Sequence, residues 1–404
     1  MRQKWNSLMG TSGIDERVLL WHSPPPWNGT GYGVQTFSFM RMLQQDGYKV
    51  FNIPNCQFEG KPNIMWEGFP ILAGGANRWG VDAVLHYGVK MQAPVFTLMD
   101  VWPLAEDLGL VLRKQGKGWY PLAPIDHDPI PVSVTARLKH AEVPIAFSRF
   151  GFDQMKSASL KPYYLPHGVD TEVYMPKRKD KGVINGARDD KFLVGVVAAN
   201  IGEWDRKGWH QCIEAFSILH DRHPDTNLFI WSIVDRSYNG LDIISLVKQF
   251  GVEDAVMMTD KWTIYEGVTS TQMAEIYNAL DVLFLPTRGE GFGVLLIEAQ
   301  ACGVPVITTA FSAAKELVGS GWAVPPKDLL WTNLDSFQAL PDTEKLADAL
   351  CEAYDVWKGG KMAEMNAKAK AFAVDYDFRT VYAKHFKPLL ARIYGKAKTK
   401  NRDD

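Results

Sequence analysis

Two glutamates and a set of glycines in one short segment form the most informative pattern in the sequence. The segment PTRGEGFGVLLIEAQACGVPVITT places Glu290 in a glycine-rich turn and Glu298 inside a nearly apolar helical pattern, with seven residues between them. A carboxylate in such a turn can accept hydrogen bonds from hydroxyl groups, and the free N–H groups at a helix start favour a diphosphate. Glu298 would lie roughly 12 Å further along the helix. The pattern predicts a ligand with hydroxyls at both ends and a diphosphate between them.

Two adjacent cations, Arg206 and Lys207, form a second candidate pattern. They follow the apolar run FLVGVVAA and stand just before the helical pattern KGWHQCIEAFSILHDRH. Cations in that position can neutralise negative charge that develops on a phosphate group. The alternative interpretation is that they are ordinary exposed cations near a helix start.

A glycine-rich turn also follows the first strand pattern of the chain. The segment RVLLWHSPPPWNGTGYGVQTF contains Gly31, Tyr32 and Gly33 between an apolar run and a helical pattern. The glycine spacing departs from the dinucleotide fingerprint, and no acidic residue ends a second strand about 20 residues later, which disfavours a nicotinamide cofactor. Trp27 and Tyr32 are aromatic residues that could stack on a sugar or a base, although packing is an equally common role for aromatic loop residues.

Further candidates lie in three other segments of the first half. Asp100 follows the run PVFTLM, and its carboxylate could face developing positive charge, orient a hydroxyl or simply cap the next segment. The segment PIDHDPIP provides Asp126 and His127 as acceptor-side candidates, with turn chemistry as the alternative. Trp119 lies in RKQGKGWY, where basic and aromatic residues together suggest either a nucleic-acid contact or a solvated loop.

The composition restricts the class of protein. The chain has 404 residues with 46% hydrophobic and 22% charged residues, which predicts two globular domains and excludes extended disorder. The net charge of −2 gives no global reason to bind nucleic acid or an anionic membrane. No apolar run approaches the roughly 18 residues of a membrane span. The four scattered cysteines favour a reduced cytoplasm without a structural zinc or a disulfide framework.

Alternating strand and helix patterns predict a doubly wound α/β architecture. Apolar runs that predict strands are RVLLWH, AVLHY, PVFTLM, FLVGVVAA, LFIWSIV, DVLFLP and PVITT. Because the segment 171–191 is charged and lacks a period, we interpret it as an interdomain linker. The predicted units are a Rossmann-like acceptor-side domain (1–170), the linker (171–191), a Rossmann-like donor domain (192–376), and a crossing helix with a polar tail (377–404).

With these motifs in place, the sequence resembles the GT-B glycosyltransferases, particularly the large retaining family 4. The resemblance covers nearly the whole chain. It rests on the EGFG…E pattern from Glu290 to Glu298, SRFGFDQM at Ser148, YLPHGVDTEVYMP at Tyr164, RKG at Arg206 and the final amphipathic helix. It implies two Rossmann-like parallel-sheet domains facing a central cleft, with a C-terminal helix that crosses back to the first domain.

The resemblance also implies a role for each candidate. Glu290 and the amides of 291–293 would hold the donor sugar, Glu298 would bind the ribose hydroxyls, and Lys207 with Arg206 would neutralise the diphosphate. The catalytic candidates are Glu290, Asp100, Arg206 and Lys207. The donor-binding candidates are Gly31, Tyr32, Gly33, Asn200, Gly291, Phe292, Gly293 and Glu298.

Two residues depart from the family pattern. Met99 occupies the first position of a His-Asp pair that many relatives carry before Asp100, which places a histidine role in doubt. Asn200 stands where relatives frequently have an arginine, and Arg206 is positioned to compensate. Without a D-x-D signature placed to hold a diphosphate, we expect no metal and no cofactor, and leaving-group stabilisation by Arg206, Lys207 and helix amides.

The leading hypothesis is a cytoplasmic retaining hexosyl- or pentosyltransferase. It would use a UDP-, GDP- or ADP-linked sugar, with UDP-glucose as one such donor, and a hydroxyl acceptor on a glycan, a lipid or a small molecule. One alternative is the same chemistry on a hydroxymethylated base of DNA, as in a phage-type enzyme. Others are a nucleotide-sugar epimerase, a phosphorylase and a non-catalytic nucleotide-sugar-binding protein.

Overall fold

The computed structural model describes residues 17–56, 58–202 and 204–400, which fold into two α/β domains with a cleft between them. Residues 1–16 of the predicted first domain and 401–404 of the predicted polar tail lie outside the described residues. Within the described residues no helix is both long and apolar enough to cross a bilayer. The four cysteines are free thiols.

The first domain has a central sheet that is parallel except for one edge strand. Its strand order is β3-β4-β2-β1-β5-β6-β7-β8, counted over the described residues, and only the β3–β4 pair is antiparallel. The elements, in chain order, are β1 (Val18–Ser23), α1 (Gly31–Gln45), β2 (Lys49–Pro54), β3 (Ile64–Trp66), β4 (Phe69–Ile71), α2 (Val81–Met91), β5 (Val95–Leu98), α3 (Leu108–Gln115), β6 (Trp119–Ala123), α4 (Val132–Leu138), β7 (Ile145–Ala146), α5 (Arg149–Ser157) and β8 (Tyr163–Tyr164).

The second domain has a parallel sheet with strand order β11-β10-β9-β12-β13-β14 within the described residues, and a separate antiparallel hairpin, β15–β16. Its strands are β9 (Phe192–Val197), β10 (Thr226–Trp231), β11 (Val256–Met258), β12 (Val282–Leu285), β13 (Val306–Thr309), β14 (Gly321–Val324), β15 (Asp328–Trp331) and β16 (Phe337–Leu340). Its helices, and those that follow it, are α6 (Trp209–Arg222), α7 (Ile243–Gln249), α8 (Lys261–Glu266), α9 (Ser270–Ala279), α10 (Val294–Ala301), α11 (Ser312–Glu316), α12 (Thr343–Lys358), α13 (Met362–Ala373), α14 (Phe378–Val381) and α15 (Lys387–Lys400).

The central strands are continuous apolar runs because helices cover both faces of each sheet. Every residue of β9 and β12 is buried, as is every residue of β5 and β6. Parallel strands end at one edge of a sheet, so the loops after them gather there, and the two carboxyl edges face the cleft. The predicted GT-B architecture is confirmed at the level of the two parallel-sheet domains.

One predicted strand is wrong. AVLHY lies in helix α2, where Ala83, Val84, Tyr87 and Gly88 are buried and His86 is exposed. Burial at 83, 84, 87 and 88 follows the helical period, and a run of five residues is too short to separate that period from a buried strand.

The segment after the first domain packs against the second domain, and the C-terminal helices return to the first. Lys181, which is buried, forms an ion pair of 2.8 Å with Asp281 and so attaches the predicted linker to the start of β12. The return begins where Val169 and Asp377 form a bridge. From there the hydroxyl of Tyr394 donates to the backbone oxygen of Val18, at 2.6 Å.

Candidate active site

The cleft brings together polar side chains from loops of both domains. In the first domain, Tyr32 lies at the start of α1, Asp100 follows β5 and Asp126 follows β6. In the second domain, Arg206 and Lys207 lie between β9 and α6, and Glu290 lies between β12 and α10. The electrostatic interactions of Arg206 with Asp100, Asp126 and Glu290 connect the two edges.

Glu290 is the centre of the second-domain cluster. Its Oε1 accepts hydrogen bonds from Lys207 Nζ at 2.5 Å and from Thr287 Oγ1 at 2.9 Å. Its Oε2 lies 3.3 Å from Arg206 Nη1. Burial would raise the pKa of this carboxyl, but Lys207 and Arg206 hold the pKa below its ordinary value. Glu290 is therefore an ionised, buried hydrogen-bond acceptor.

Lys207 is largely buried, with 12% of its side chain exposed, whereas 38% of the Arg206 side chain is exposed. Burial and the neighbouring Arg206 charge lower the pKa of Lys207, and Glu290 opposes that shift. Burial also disfavours charge on Arg206, but the carboxylates of Glu290, Asp126 and Asp100 raise its pKa overall. Both line a cavity of about 270 Å³ at the end of β9. Their ion pairs with Glu290 distinguish them from unpaired surface cations.

The glycine turn lets the two domains approach at the cleft. Gly293 has a φ of 99°, in the left-handed region, and precedes α10 without a side-chain cap. The amides at this helix start are thus free of a capping side chain, as the diphosphate prediction requires. A Cβ at Gly291 would lie 2.5 Å from the Cβ of Pro124, so only glycine fits between this turn and the first domain.

Phe292 contributes packing to the same junction. Its ring is buried and lies 5.1 Å from the ring of His167 and 6.3 Å from that of Phe147, centroid to centroid. Burial lowers the pKa of His167 to about 3, so this histidine is neutral. Both residues fix the domain junction, and any donor contact of residue 292 would have to come from its backbone.

Glu298 lies on α10 and is buried. Its Oε2 accepts a hydrogen bond of 2.9 Å from the hydroxyl of Tyr277 on α9. Burial raises the pKa of Glu298 to about 7, and hydrogen bonds from Tyr277 and Tyr174 reduce the shift. The two tyrosines are site residues that our sequence analysis did not identify, because isolated tyrosines in helical or irregular segments carry no motif.

The first-domain edge holds two carboxylates in different environments. The hydroxyl of Tyr32 donates to Asp100 Oδ2 at 3.4 Å. Desolvation in the cleft and the charge of Asp126 raise the pKa of Asp100 to about 6. Asp126 Oδ1 lies 2.7 Å from Nδ1 of His127. Burial would raise the pKa of Asp126, but His127 and Arg206 hold it below its ordinary value. Of these two carboxylates, Asp100 is the one whose pKa lies above its ordinary value.

The first glycine loop reaches the second domain. A Cβ on Gly31 would lie 3.7 Å from Cγ1 of Val294, the first residue of α10. A Cβ on Gly33 would lie 2.0 Å from the backbone oxygen of Asn28, so this position has no space for a side chain. The predicted loop therefore faces the helix start that we expect to bind the diphosphate.

Trp119 does not face the cleft as expected, whereas Asn200 lines the cavity beside Arg206 and Lys207. Trp119 is fully buried in β6 and donates its Nε1 hydrogen to Thr97, so it has no surface for an acceptor. The mistake arose because RKQGKGWY joins the end of a helix to a buried strand. Asn200 is also buried: its amide donates to the oxygens of Ile233 and Leu241 and accepts from the N–H of Leu241. These bonds occupy the side chain in holding the 233–241 loop.

Within the described residues, no group of three or more histidine, cysteine or acidic side chains is arranged to hold a metal ion. Independence from metal and cofactor stays a prediction. The roles assigned to the remaining candidates also stay predictions, although the structure brings most of these residues to the same cleft.

Comparison with known proteins gives a family for the second domain. Residues 193–355 match the family described as glycosyl transferases group 1. D-inositol 3-phosphate glycosyltransferase of Paenarthrobacter aurescens (strain TC1) is 29% identical over 203 residues, which is 47% of this chain and 47% of that protein. The match thus covers about half the length of this curated relative.

Solved structures resemble nearly the whole chain. Sucrose-phosphate synthase from Thermosynechococcus elongatus superposes with a TM-score of 0.75 at 17% identity, covering 94% of this chain and 100% of that one. Anabaena HepE in complex with UDP-glucose superposes with a TM-score of 0.65 at 16% identity, covering 92% and 99%. At these identities the likeness concerns the fold. The chain therefore has the GT-B fold and carries a glycosyl transferases group 1 domain in its second half.

Proposed function

We propose that this protein is a retaining glycosyltransferase that moves a sugar from a nucleotide-diphosphate sugar to a hydroxyl acceptor. The observation that carries the proposal is the cluster in which Arg206 and Lys207 both pair with Glu290 beside the uncapped start of α10. The group 1 domain over residues 193–355 supports the same reaction class.

The cluster supplies what departure of a nucleotide requires. Breaking the anomeric C–O bond leaves negative charge on the diphosphate and positive charge on the sugar ring. Arg206, Lys207 and the first amides of α10 would stabilise the diphosphate, and Glu290 would accept hydrogen bonds from the sugar hydroxyls. The cations now paired with Glu290 would then divide their contacts between that carboxylate and the phosphates.

Asp100 is the proposed acceptor-side group of the reaction. It faces the cleft, and its pKa of about 6 makes it largely ionised at neutral pH, so that it can orient an acceptor hydroxyl or face the oxocarbenium charge. With Met99 beside it, no histidine shares this position. We propose attack on the same face that the nucleotide leaves, which gives net retention without a covalent intermediate.

UDP-glucose is the first donor to test, because Anabaena HepE was solved with that ligand on a similar fold. The base would be read near α8, where Trp262 and Tyr265 are exposed and lie with ring centroids 5.6 Å apart. An aromatic pair at this place can stack on a planar base.

We propose a saccharide acceptor. Trp27 follows β1 and Trp102 follows β5, so both lie in loops at the carboxyl edge of the first sheet, and they are 41% and 42% exposed. Exposed indole rings at this edge suit the apolar face of a sugar. The DNA alternative loses its supporting observation, since Trp119 is buried and Arg113 donates to the backbone oxygens of His140 and Ala141.

The proposal is tested by incubating the purified protein with UDP-, GDP- and ADP-linked sugars and a panel of neutral saccharides. We expect nucleotide release that depends on acceptor, survives a chelator and yields a product with the anomeric configuration of the donor, as seen by proton NMR. Inversion would contradict the retaining mechanism. Free epimerised sugar would favour an epimerase, and donor binding without any turnover would favour a non-catalytic binding protein.

A further inference from the structure

The β15–β16 hairpin belongs to the second domain but forms hydrogen bonds with the first. The N–H of Asp128 donates to the oxygen of Phe337 at 3.0 Å, and the N–H of Phe337 donates back to Asp128 at 3.2 Å. Next to this pair, the hydroxyl of Ser336 donates to the backbone oxygen of Pro129. The hairpin is therefore joined by backbone and side-chain bonds to the loop that carries Asp126 and His127.

Two polar side chains of the hairpin segment are buried, and two large apolar side chains are exposed. Ser336 and Gln338 are polar and almost fully buried, at 0% and 1% exposure, whereas Leu329 and Trp331 are apolar and 42% and 57% exposed. Buried polar groups need hydrogen-bond partners, and here those partners belong to the domain junction. The polar side chains of the hairpin are thus buried because they form hydrogen bonds at the domain junction.

Gln338 connects both halves of the candidate site. Its Oε1 accepts a hydrogen bond of 3.0 Å from Nε1 of Trp204, in the loop that carries Arg206. Its Nε2 donates to Oδ2 of Asp126 at 3.3 Å. The indole N–H can only donate, so it fixes the amide with its oxygen toward Trp204 and its nitrogen toward Asp126.

The two oxygens of Asp126 are consequently held from different domains. His127 contacts Oδ1 from the first domain, and Gln338 contacts Oδ2 from the second. The backbone of β16 is also tied to the donor side, because the N–H of Ala339 donates to the oxygen of Arg288 at 2.8 Å. A change in the angle between the domains would strain the Gln338 contact, which joins the two domains, but not the contact between the adjacent residues Asp126 and His127.

We propose that the β15–β16 hairpin is an interdomain clasp and that Gln338 is a positioning residue, which sets the Asp126 carboxylate opposite Arg206 when the domains are closed. The kinetic part of this inference rests on the proposed transfer reaction. The clasp itself does not, because it predicts coupled protection of backbone amides in the protein without substrate.

The clasp is tested by hydrogen–deuterium exchange of the wild-type protein, Gln338→Ala and Trp331→Ala. Loss of the buried amide should speed exchange both in 126–130 and in 204–207, because both loops lose the same partner. Trp331→Ala alters the exposed side of the same hairpin, where the indole packs on Phe337, and should change neither loop. Exchange that rises only within 328–340 in Gln338→Ala would overturn the clasp.

Positioning is tested kinetically with Gln338→Glu. This variant keeps an oxygen for Trp204 but replaces the donor to Asp126 by a like charge, so the hairpin stays anchored while the carboxylate is displaced. We expect kcat to fall about tenfold with acceptor in excess, and the donor Kd to stay within about twofold. An unchanged kcat would overturn the positioning role. Absence of turnover in the wild type would instead contradict the proposed function and leave the exchange result as the test of the clasp.

Discussion

The two edges of the cleft are built in different ways. On the second-domain edge, Arg206, Lys207 and Glu290 come from two short segments and form a closed cluster of ion pairs. On the first-domain edge, Tyr32 and Asp100 come from separate loops and meet through a single hydrogen bond of 3.4 Å. The charged cluster of Arg206, Lys207 and Glu290 is therefore organised within one domain.

The first-domain edge depends on how the domains meet. Asp126 has one oxygen held by its own domain and the other by Gln338 of the second. Such an arrangement makes the first-domain carboxylates sensitive to closure, while the second-domain cluster keeps its charges paired. We accordingly expect changes on the second-domain edge to affect donor binding or all turnover, and changes on the first to affect the acceptor step.

The largest expected effect comes from Glu290→Gln. This variant keeps the shape of the side chain but removes the charge that pairs with Lys207 and Arg206, and it weakens the acceptor for sugar hydroxyls. Transfer should fall by about a thousandfold in initial-rate assays. The matched control is Glu316→Gln: this glutamate also lies at the domain junction, where it accepts from the N–H groups of Arg149 and Phe150. Turnover of the control should stay within a few-fold, and an active Glu290→Gln would refute the assigned centre.

Asp100→Asn should have the next largest effect, about a hundredfold on kcat, while the donor Kd stays unchanged. Because desolvation in the cleft and the charge of Asp126 raise the pKa of Asp100 to about 6, wild-type kcat/KM for the acceptor should decline as pH falls through 6. The variant should lack this decline. Asp128→Asn is the control, since the Asp128 side chain contacts Gln154 instead. A wild-type profile that is flat between pH 5 and 7 would argue against Asp100 as the titrating group.

Glu298 predicts a pH dependence of donor binding. Only the ionised carboxylate accepts fully from ribose hydroxyls, so a pKa of about 7 predicts that donor affinity rises about tenfold from pH 6 to pH 8. Glu298→Gln should bind the donor weakly and without that dependence, as measured by calorimetry. Tyr277→Phe removes a hydrogen bond that lowers this pKa, and should move the transition to higher pH.

The same residue predicts the sign of a stability change. The folded-state pKa of Glu298 is raised above its ordinary value of 4.5, so the contribution to stability is complete below about pH 4.5. It is lost as pH rises through about 7, where the buried carboxyl must ionise. Glu298→Gln should reduce this loss in urea unfolding measured at pH 5 and pH 8.

The smallest effects separate two glycines of the first-domain loop. Gly33→Ala places a Cβ 2.0 Å from the Asn28 oxygen and should lower the free energy of unfolding by about 1–3 kcal/mol. Gly31→Ala meets only Val294, at 3.7 Å, and should lower it by less than about 0.5 kcal/mol. Chemical unfolding compares them directly, and equal losses would show that the loop is not constrained at Asn28.

The same contrast explains what the sequence could predict. Glu290, Arg206 and Lys207 were identifiable because glycines and cations follow buried strands within short segments, where local spacing determines geometry. Trp119 was misassigned because residues next to a basic helix end can still enter a buried strand. The amide of Asn200 makes its hydrogen bonds to residues 233 and 241, far along the chain, so local spacing carried no sign of them.

The contacts of Gln338 could not be predicted from the sequence for a related reason. Its segment, LLWTNLDSFQAL, alternates without a motif, and the importance of one amide depends on how two domains meet. The fold was more accessible, since strand–helix alternation predicts parallel sheets wherever runs are long. The short run AVLHY was assigned wrongly, because five residues fit both the helical period and the pattern of a buried strand.

Calorimetric titration with UDP-, GDP- and ADP-linked sugars tests most directly whether the donor binds to the second-domain edge. The titrations use the wild-type protein, Glu298→Ala and Asp100→Asn. We predict that one nucleotide sugar binds the wild type, that Glu298→Ala loses this binding, and that Asp100→Asn retains it with a similar Kd. Binding that survives in Glu298→Ala but disappears in Asp100→Asn, or no binding of any donor to the wild type, would contradict a donor site on the second-domain edge.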